Sequence, residues 1–176
     1  MKTLVDHLSQ YADYHRDRRN IATHFVGIPM IVFAVAVLLS RPALDVAGVP
    51  FTIALMLAVA SSIFYLRLHV GLGVLMTGLM ALAVWGGHRV AAESTMVWLS
   101  TGVGLFVVGW IIQFVGHYYE GRKPAFVDDL VGLVVGPLFV VAEWLFMMGM
   151  MPSLQSAIEE RVGPTRINPA KTPHQV

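Results

Sequence analysis

No cysteine occurs anywhere in the 176-residue chain. Disulfides and thiolate metal sites are therefore excluded. Any metal must be held by histidine, carboxylate or backbone oxygen, a donor set that suits iron, zinc or manganese better than copper(I). Charge is scarce as well: 13% of the residues are charged, where a soluble domain carries about a quarter. With 56% hydrophobic residues and a mean hydropathy of +0.68, the balance is that of a membrane protein. A net charge of +1 without a basic face excludes nucleic acid as a partner. Glycine-rich nucleotide motifs are missing, as are HExxH and paired HxxHH signatures. Residues 1–20 lack the apolar core and small-residue cleavage site of a secretory signal, so the apolar segments are expected to be retained.

What is present is a series of apolar runs with short polar punctuation. They cover residues 25–40 (extended by 22–24), 51–66, 70–87, 96–116 and about 130–151. A crossing needs about 20 apolar residues, and backbone in lipid must satisfy its own hydrogen bonds, so each run is expected to be a helix. The fifth contains Gly136-Pro137 and Glu143, which predicts a kink or a dip without crossing. Glu143, a lone acid in an apolar helix, should face the bundle and have a partner. The predicted fold is all-α: one integral membrane bundle, residues 1–151, with four or five transmembrane helices. Residues 1–20 read as an interfacial amphipathic helix, because Leu4, Leu8, Tyr11 and His15 fall on one face. Residues 152–176, Pro-rich and polar, read as a disordered tail.

Charge sets the orientation. With five spans, Lys2, Arg16, Arg18, Arg19, Arg67, Arg122 and Lys123 share one side, against Arg41 and Arg89 in the opposite loops and Arg161, Arg166 and Lys171 in the tail. The positive-inside rule makes the N-terminal side cytoplasmic. Counting crossings then puts His15, His24 and the stretch QFVGHYYEGRKPAF at one surface. His69, two crossings from the start, can join them; His88 cannot, and His174 lies in the tail.

Spacing sorts these residues further. His117 and Glu120 are three apart, with Gln113 one turn back, and Asn20 and His24 are four apart, so each set shares a helical face. His15 and His24 are nine apart, about half a turn out of phase at ~3.6 residues per turn. Both can address one ion only if the chain bends between them, and RDRRN is the expected bend. The resulting reading is a metal site of His15, His24, His117 and His69, with Glu120 as ligand or orienter beside Asn20 and Gln113. The plainer reading keeps the histidines half-wet at the interface, bonded to phosphates or carbonyls. Ionisable groups at membrane depth are rare and usually functional, and several sharing one face favours the metal site.

Arg16, Arg18, Arg19, Arg122 and Lys123 could anchor a substrate carboxylate, for which arginine gives a bidentate grip; a positive-inside surplus explains most of them equally well. Asp128 and Asp129 could ligate, orient or cap the following helix. Tyr11, Tyr14, Tyr118 and Tyr119 suit an interfacial aromatic belt. The ten methionines and the small-residue pairs suit helix packing.

The two stretches QYADYHRDRRNIATHFVGIP and QFVGHYYEGRKPA together resemble the 2-hydroxy fatty acid dioxygenase family, long carried as a domain of unknown function, and the likeness covers roughly residues 1–160. The family's fungal type works in the endoplasmic reticulum in phytosphingosine degradation. A bacterial inner membrane or, in a eukaryote, the endoplasmic reticulum is the setting the resemblance implies. The resemblance implies iron(II)-dependent α-oxidation with O2 as co-substrate, shortening a 2-hydroxy fatty acid by one carbon. It implies His15, His24 and His117 as iron ligands with Glu120 adjacent. Glu120, Asn20 and Gln113 are the expected catalytic residues, and Arg19, Arg122 and Lys123 the expected substrate contacts. His69 lies outside both motifs and enters by topology. The expected partners are the 2-hydroxy fatty acid and membrane lipid. Two other classes compete: a haem- or metal-binding membrane bundle, which needs histidines facing each other from different spans, and a non-catalytic scaffold or transporter, which needs no bound metal.

Overall fold

A computed structural model describes residues 2–124 and 130–167. Asp128, Asp129, Lys171 and His174 fall outside the described residues. Seven helices are described, in the order α1 (Leu4–Ala12), α2 (Arg18–Leu38), α3 (Ile53–Leu68), α4 (Val70–Ala91), α5 (Thr95–Glu120), α6 (Gly132–Met147) and α7 (Pro152–Val162). A small hairpin, β1 (Leu44–Val46) with β2 (Val49–Phe51), pairs antiparallel between α2 and α3. Among the described residues the fold is all-helical apart from that hairpin. By length and composition, α2, α4 and α5 are apolar enough to cross a membrane. At 16 residues α3 is shorter than the others, below the ~20 a crossing requires. The pair α6 and α7 is bent by 115° and counts at most as one broken span. Three or four candidate spans thus stand where four or five were expected.

The chain divides into two compact units. Gly27–Trp110 forms one of them. Here α3 and α4 pack along each other, joined by His69 alone. Gly73 makes that turn possible, since a Cβ there would collide with the Leu66 backbone. Gly87 likewise lies against the backbone of Ala36 and Val37, so small residues set helix spacing as the sequence suggests. Large apolar side chains such as Leu57, Val59, Leu82 and Val107 are left exposed, in keeping with surfaces meant for lipid.

Met1–Val26 with Ile111–Val176 forms the other unit. Thr3 and Asp6 make a capping box at the start of α1, each satisfying a backbone N–H the helix cannot. The helix ends at Ala12, so the amphipathic helix expected over residues 1–20 is half that length. Its buried face (Leu4, Leu8, Tyr11) packs on α6 and α7, not on a lipid surface. The expected tail also differs, for residues 152–162 are helical. Pro152 suits the first turn, and Leu154 and Ile158, four apart, supply a buried stripe. Beyond it, Arg166 exchanges backbone hydrogen bonds with Arg16 and Arg18, each at 2.8 Å. The fifth run bends after α6 and not at Gly136-Pro137. Gly149, at φ +73°, and Met151, at φ +55°, turn the chain there, a backbone region in which glycine is unstrained.

Because Ile158 is only 2% exposed, Ile158→Ala should destabilise the protein by about 2–5 kcal/mol, read from its unfolding curve in detergent. A loss within error of zero would show that α7 does not dock.

Candidate metal centre

Residues 13–17, between α1 and α2, are not helical. This is the bend the two histidines require; it overlaps the start of RDRRN and is centred three residues before the middle of that stretch. His15 rises from it, while His24 sits two turns into α2 and His117 near the end of α5. The three are 0%, 1% and 6% exposed. Their potential ligand atoms all lie within 4.8 Å of one another, and among the described residues they form the one such group of metal-ligating side chains. The rings cross edge to face, with centroids 4.4 Å (His15–His24), 5.0 Å (His15–His117) and 5.2 Å (His24–His117) apart.

The protons on these rings can be placed. His15 Nδ1 lies 2.6 Å from the Tyr11 carbonyl and His24 Nδ1 lies 2.8 Å from the Asn20 carbonyl. A carbonyl only accepts, so each Nδ1 carries hydrogen, and in a neutral ring Nε2 is then a bare lone pair. Yet the two Nε2 atoms stand 3.0 Å apart. A second proton on His15 would relieve the repulsion. Burial, and then the neighbouring His24, push its pKa well below the ordinary imidazole value, because charge is disfavoured in an apolar site. A cation shared between them would resolve the conflict, since two lone pairs repel each other and both are drawn to a positive ion. His117 adds a buried Nδ1 with no hydrogen-bond partner. The residues therefore fit a metal ion.

The surroundings fix these rings. Tyr11 stacks on His15 with centroids 4.2 Å apart and planes 5° from parallel, and Phe139 lies 5.5 Å from the same imidazole. Neither contact was read from the sequence, although Tyr11 stands one helical turn before His15. Glu120, expected as ligand or orienter, has Oε2 accepting from the Asp17 backbone N–H at 2.8 Å and from Asn20 Nδ2 at 3.0 Å. It thereby ties the end of α5 to the bend that carries His15. Asp17, fully buried, accepts from the Arg19 backbone at 2.8 Å, as an N-cap does. Gly116 permits the close approach of α5 to α2, for a Cβ would collide with Thr23 Oγ1 and Asn20 Oδ1. Gln113, one turn before His117, is buried with both amide atoms unpartnered, and Asn20 Oδ1 is unpartnered as well. Unfilled buried polar atoms cost about 1–3 kcal/mol each, which a bound ion, water or substrate would relieve.

The remaining expected residues are placed elsewhere. His69 caps α4, its Nδ1 accepting from the Leu72 backbone at 3.1 Å, and it is not in the three-histidine group. Arg19 makes a two-point pair with Asp17 (2.8 and 3.0 Å) and lies over the Tyr119 ring. Arg122 is held by Asp13 at 2.9 Å and lies over Tyr14. Lys123 is exposed. Glu143 has the partner expected of it: its carboxylate lies 3.8 Å from the Arg16 guanidinium.

Comparison with known proteins decides the family. Residues 1–148 match the family described as 2-hydroxy-palmitic acid dioxygenase Mpo1-like. The chain belongs to the Mpo1-like family. Within it, the chain is similar to the 2-hydroxy-palmitic acid dioxygenase MPO1 of Saccharomyces cerevisiae, 35% identical over 160 residues that cover 89% of this chain and 87% of that protein. No solved structure matches. The Mpo1-like match includes all three clustered histidines and Glu120, and stops before α7.

The depressed pKa of His15 has a signed consequence. The unfolded chain takes up a proton on this ring below pH about 6.5 and the folded chain does not, so stability is full above that pH and falls as pH drops. Between pH 7 and pH 5 the metal-free protein should lose stability through this group. Its thermal midpoint should fall less steeply in His15→Gln; equal slopes would contradict a neutral buried His15.

Proposed function

We propose that this chain is an iron(II)-dependent dioxygenase that converts a 2-hydroxy fatty acid into the fatty acid one carbon shorter, at the cytoplasmic surface of a membrane. One observation carries the metal part of this reading: the Nε2 atoms of buried His15 and His24 face each other at 3.0 Å, with a third buried histidine beside them. Kinship with a 2-hydroxy-palmitic acid dioxygenase supports the reaction class and the lipid substrate. Three helices apolar enough to cross a membrane support the setting.

The reaction R–CHOH–COOH + O2 → R–COOH + CO2 + H2O balances without a reductant, because the substrate supplies all four electrons. Iron(II), when bound, would supply a Lewis acid for the 2-hydroxy acid and a centre at which oxygen is activated. His15, His24 and His117 would hold it. The two backbone carbonyls that accept from His15 and His24 fix which ring nitrogen is presented, the usual task of groups behind metal ligands. Glu120 holds the bend and Asn20 in register. Gln113, with its amide unfilled, is positioned to bind a polar group of substrate. Apolar burial around His15 keeps water from the reacting centre, which strengthens each electrostatic contact there.

Metal analysis of the purified protein tests the proposal when combined with oxygen uptake on a 2-hydroxy fatty acid. Wild-type protein should carry about one iron per three-histidine site and consume oxygen; His117→Ala should lose both. Wild-type protein that stays iron-free and inert after reconstitution with iron(II) would defeat the proposal.

A further inference from the structure

A cavity of about 410 Å³ lies beside the bend, lined among others by Arg16, Ile21, Phe25, Glu143, Phe146 and Ile158. Its volume falls within the ~300–1,000 Å³ of small-molecule sites. Ile21, Phe25, Phe146 and Ile158 make most of its wall apolar. Arg16 lines it and is only 5% exposed. Two of its donors are used: Nε gives to the Ala12 carbonyl at 2.8 Å and Nη1 to the Gly163 carbonyl at 2.9 Å. Nη2 is buried and makes no hydrogen bond. Glu143 approaches it to 3.8 Å, too far for a hydrogen bond but near enough to hold the charge in place. A guanidinium fixed by two carbonyls, with unused donors in the wall of a mostly apolar cavity, is built to take an anionic amphiphile.

We propose that this cavity binds the acyl chain of a fatty acid and that Arg16 anchors its carboxylate. The inference rests on the lipid-acid reading above and adds the pocket and the anchor. The location suits that reading. Arg16 follows His15 directly, and Ile21 and Phe25 flank His24 on α2, so the pocket is walled by the same two stretches that carry two of the three histidines. Arg18, Gln155 and Glu159 also line the pocket. Glu159 accepts from Gln155 at 3.0 Å and exposed Arg18 gives its Nε to Thr165 at 3.3 Å, whereas Arg16 Nη2 is a buried donor that no hydrogen bond occupies. Arg19 and Arg122, the arginines expected for this task, are each committed to an aspartate.

A photoreactive diazirine fatty acid, mapped by peptide mass after illumination, tests the assignment on the full-length, iron-loaded protein in lipid nanodiscs under argon. Label should fall on residues 21–25 and 143–147, and excess hexadecanoic acid should compete better than hexadecanol. Arg16→Gln should weaken labelling roughly tenfold or more, the worth of a hydrogen bond to a charged group, and should erase the preference for acid over alcohol. Ala22→Phe, which fills the cavity from an exposed position on α2, should block the label even if Arg16→Gln fails to fold. Label falling elsewhere, or wild-type affinity in both variants, overturns the proposal. The label requires no turnover. Protein that binds no iron yet labels in this Arg16-dependent way would overturn the metal reading while supporting the pocket.

Discussion

Two imidazole nitrogens that both lack hydrogen do not approach to 3.0 Å in a dry interior without a reason. In this protein the tautomers are forced by backbone carbonyls, and burial withholds the extra proton that would turn repulsion into a hydrogen bond. The arrangement is therefore unfavourable by itself and becomes favourable around a cation. Much of the surrounding architecture is organised to keep these atoms in place. Tyr11 and Phe139 fix the His15 ring, Gly116 lets α5 close on α2, and the Glu120 carboxylate fastens the bend. An ion would be bound by groups already ordered, with little further entropy lost on binding.

The non-helical stretch between α1 and α2 places three side chains at once. It turns His15 back toward a helix that starts only three residues later. It also delivers Arg16 to the cavity and Asp17 to the first turn of α2. Three consecutive residues thus serve the proposed metal centre, the proposed acyl pocket and the helix cap. Backbone pairing with Arg166 and the docking of α7 on α1 brace it from the other side. Residues 152–167 are part of the site's scaffold.

How much of this could be read beforehand follows from which signals are local. Apolar runs marked five of the seven helices because hydrophobicity is additive along the chain. The His15–His24 phase mismatch demanded a bend, since helical periodicity is rigid. His117 was reached by counting crossings. What stayed hidden was tertiary. Nothing in the spacing of Tyr11 and Phe139 says that both rings meet His15. Composition made residues 152–162 look like a tail, because Leu154 and Ile158 form a stripe too short to stand out among charged neighbours. His69 drew attention as a possible ligand by its side of the topology, yet a residue between two helices can equally be a cap. The arginines were indistinguishable in sequence, and only their partners separate Arg16 from Arg19 and Arg122.

Kinship supports a dioxygenase acting on a 2-hydroxy fatty acid, and the histidine geometry supports the proposed metal on which that chemistry would run. The most direct test is X-ray absorption at the iron edge of the reconstituted full-length protein, compared with His24→Ala. A three-histidine centre should give about three imidazole nitrogens near 2.1 Å, with their outer-shell ring scattering reduced by one histidine in the variant. A spectrum without imidazole scattering, or one that His24→Ala leaves unchanged, would contradict it.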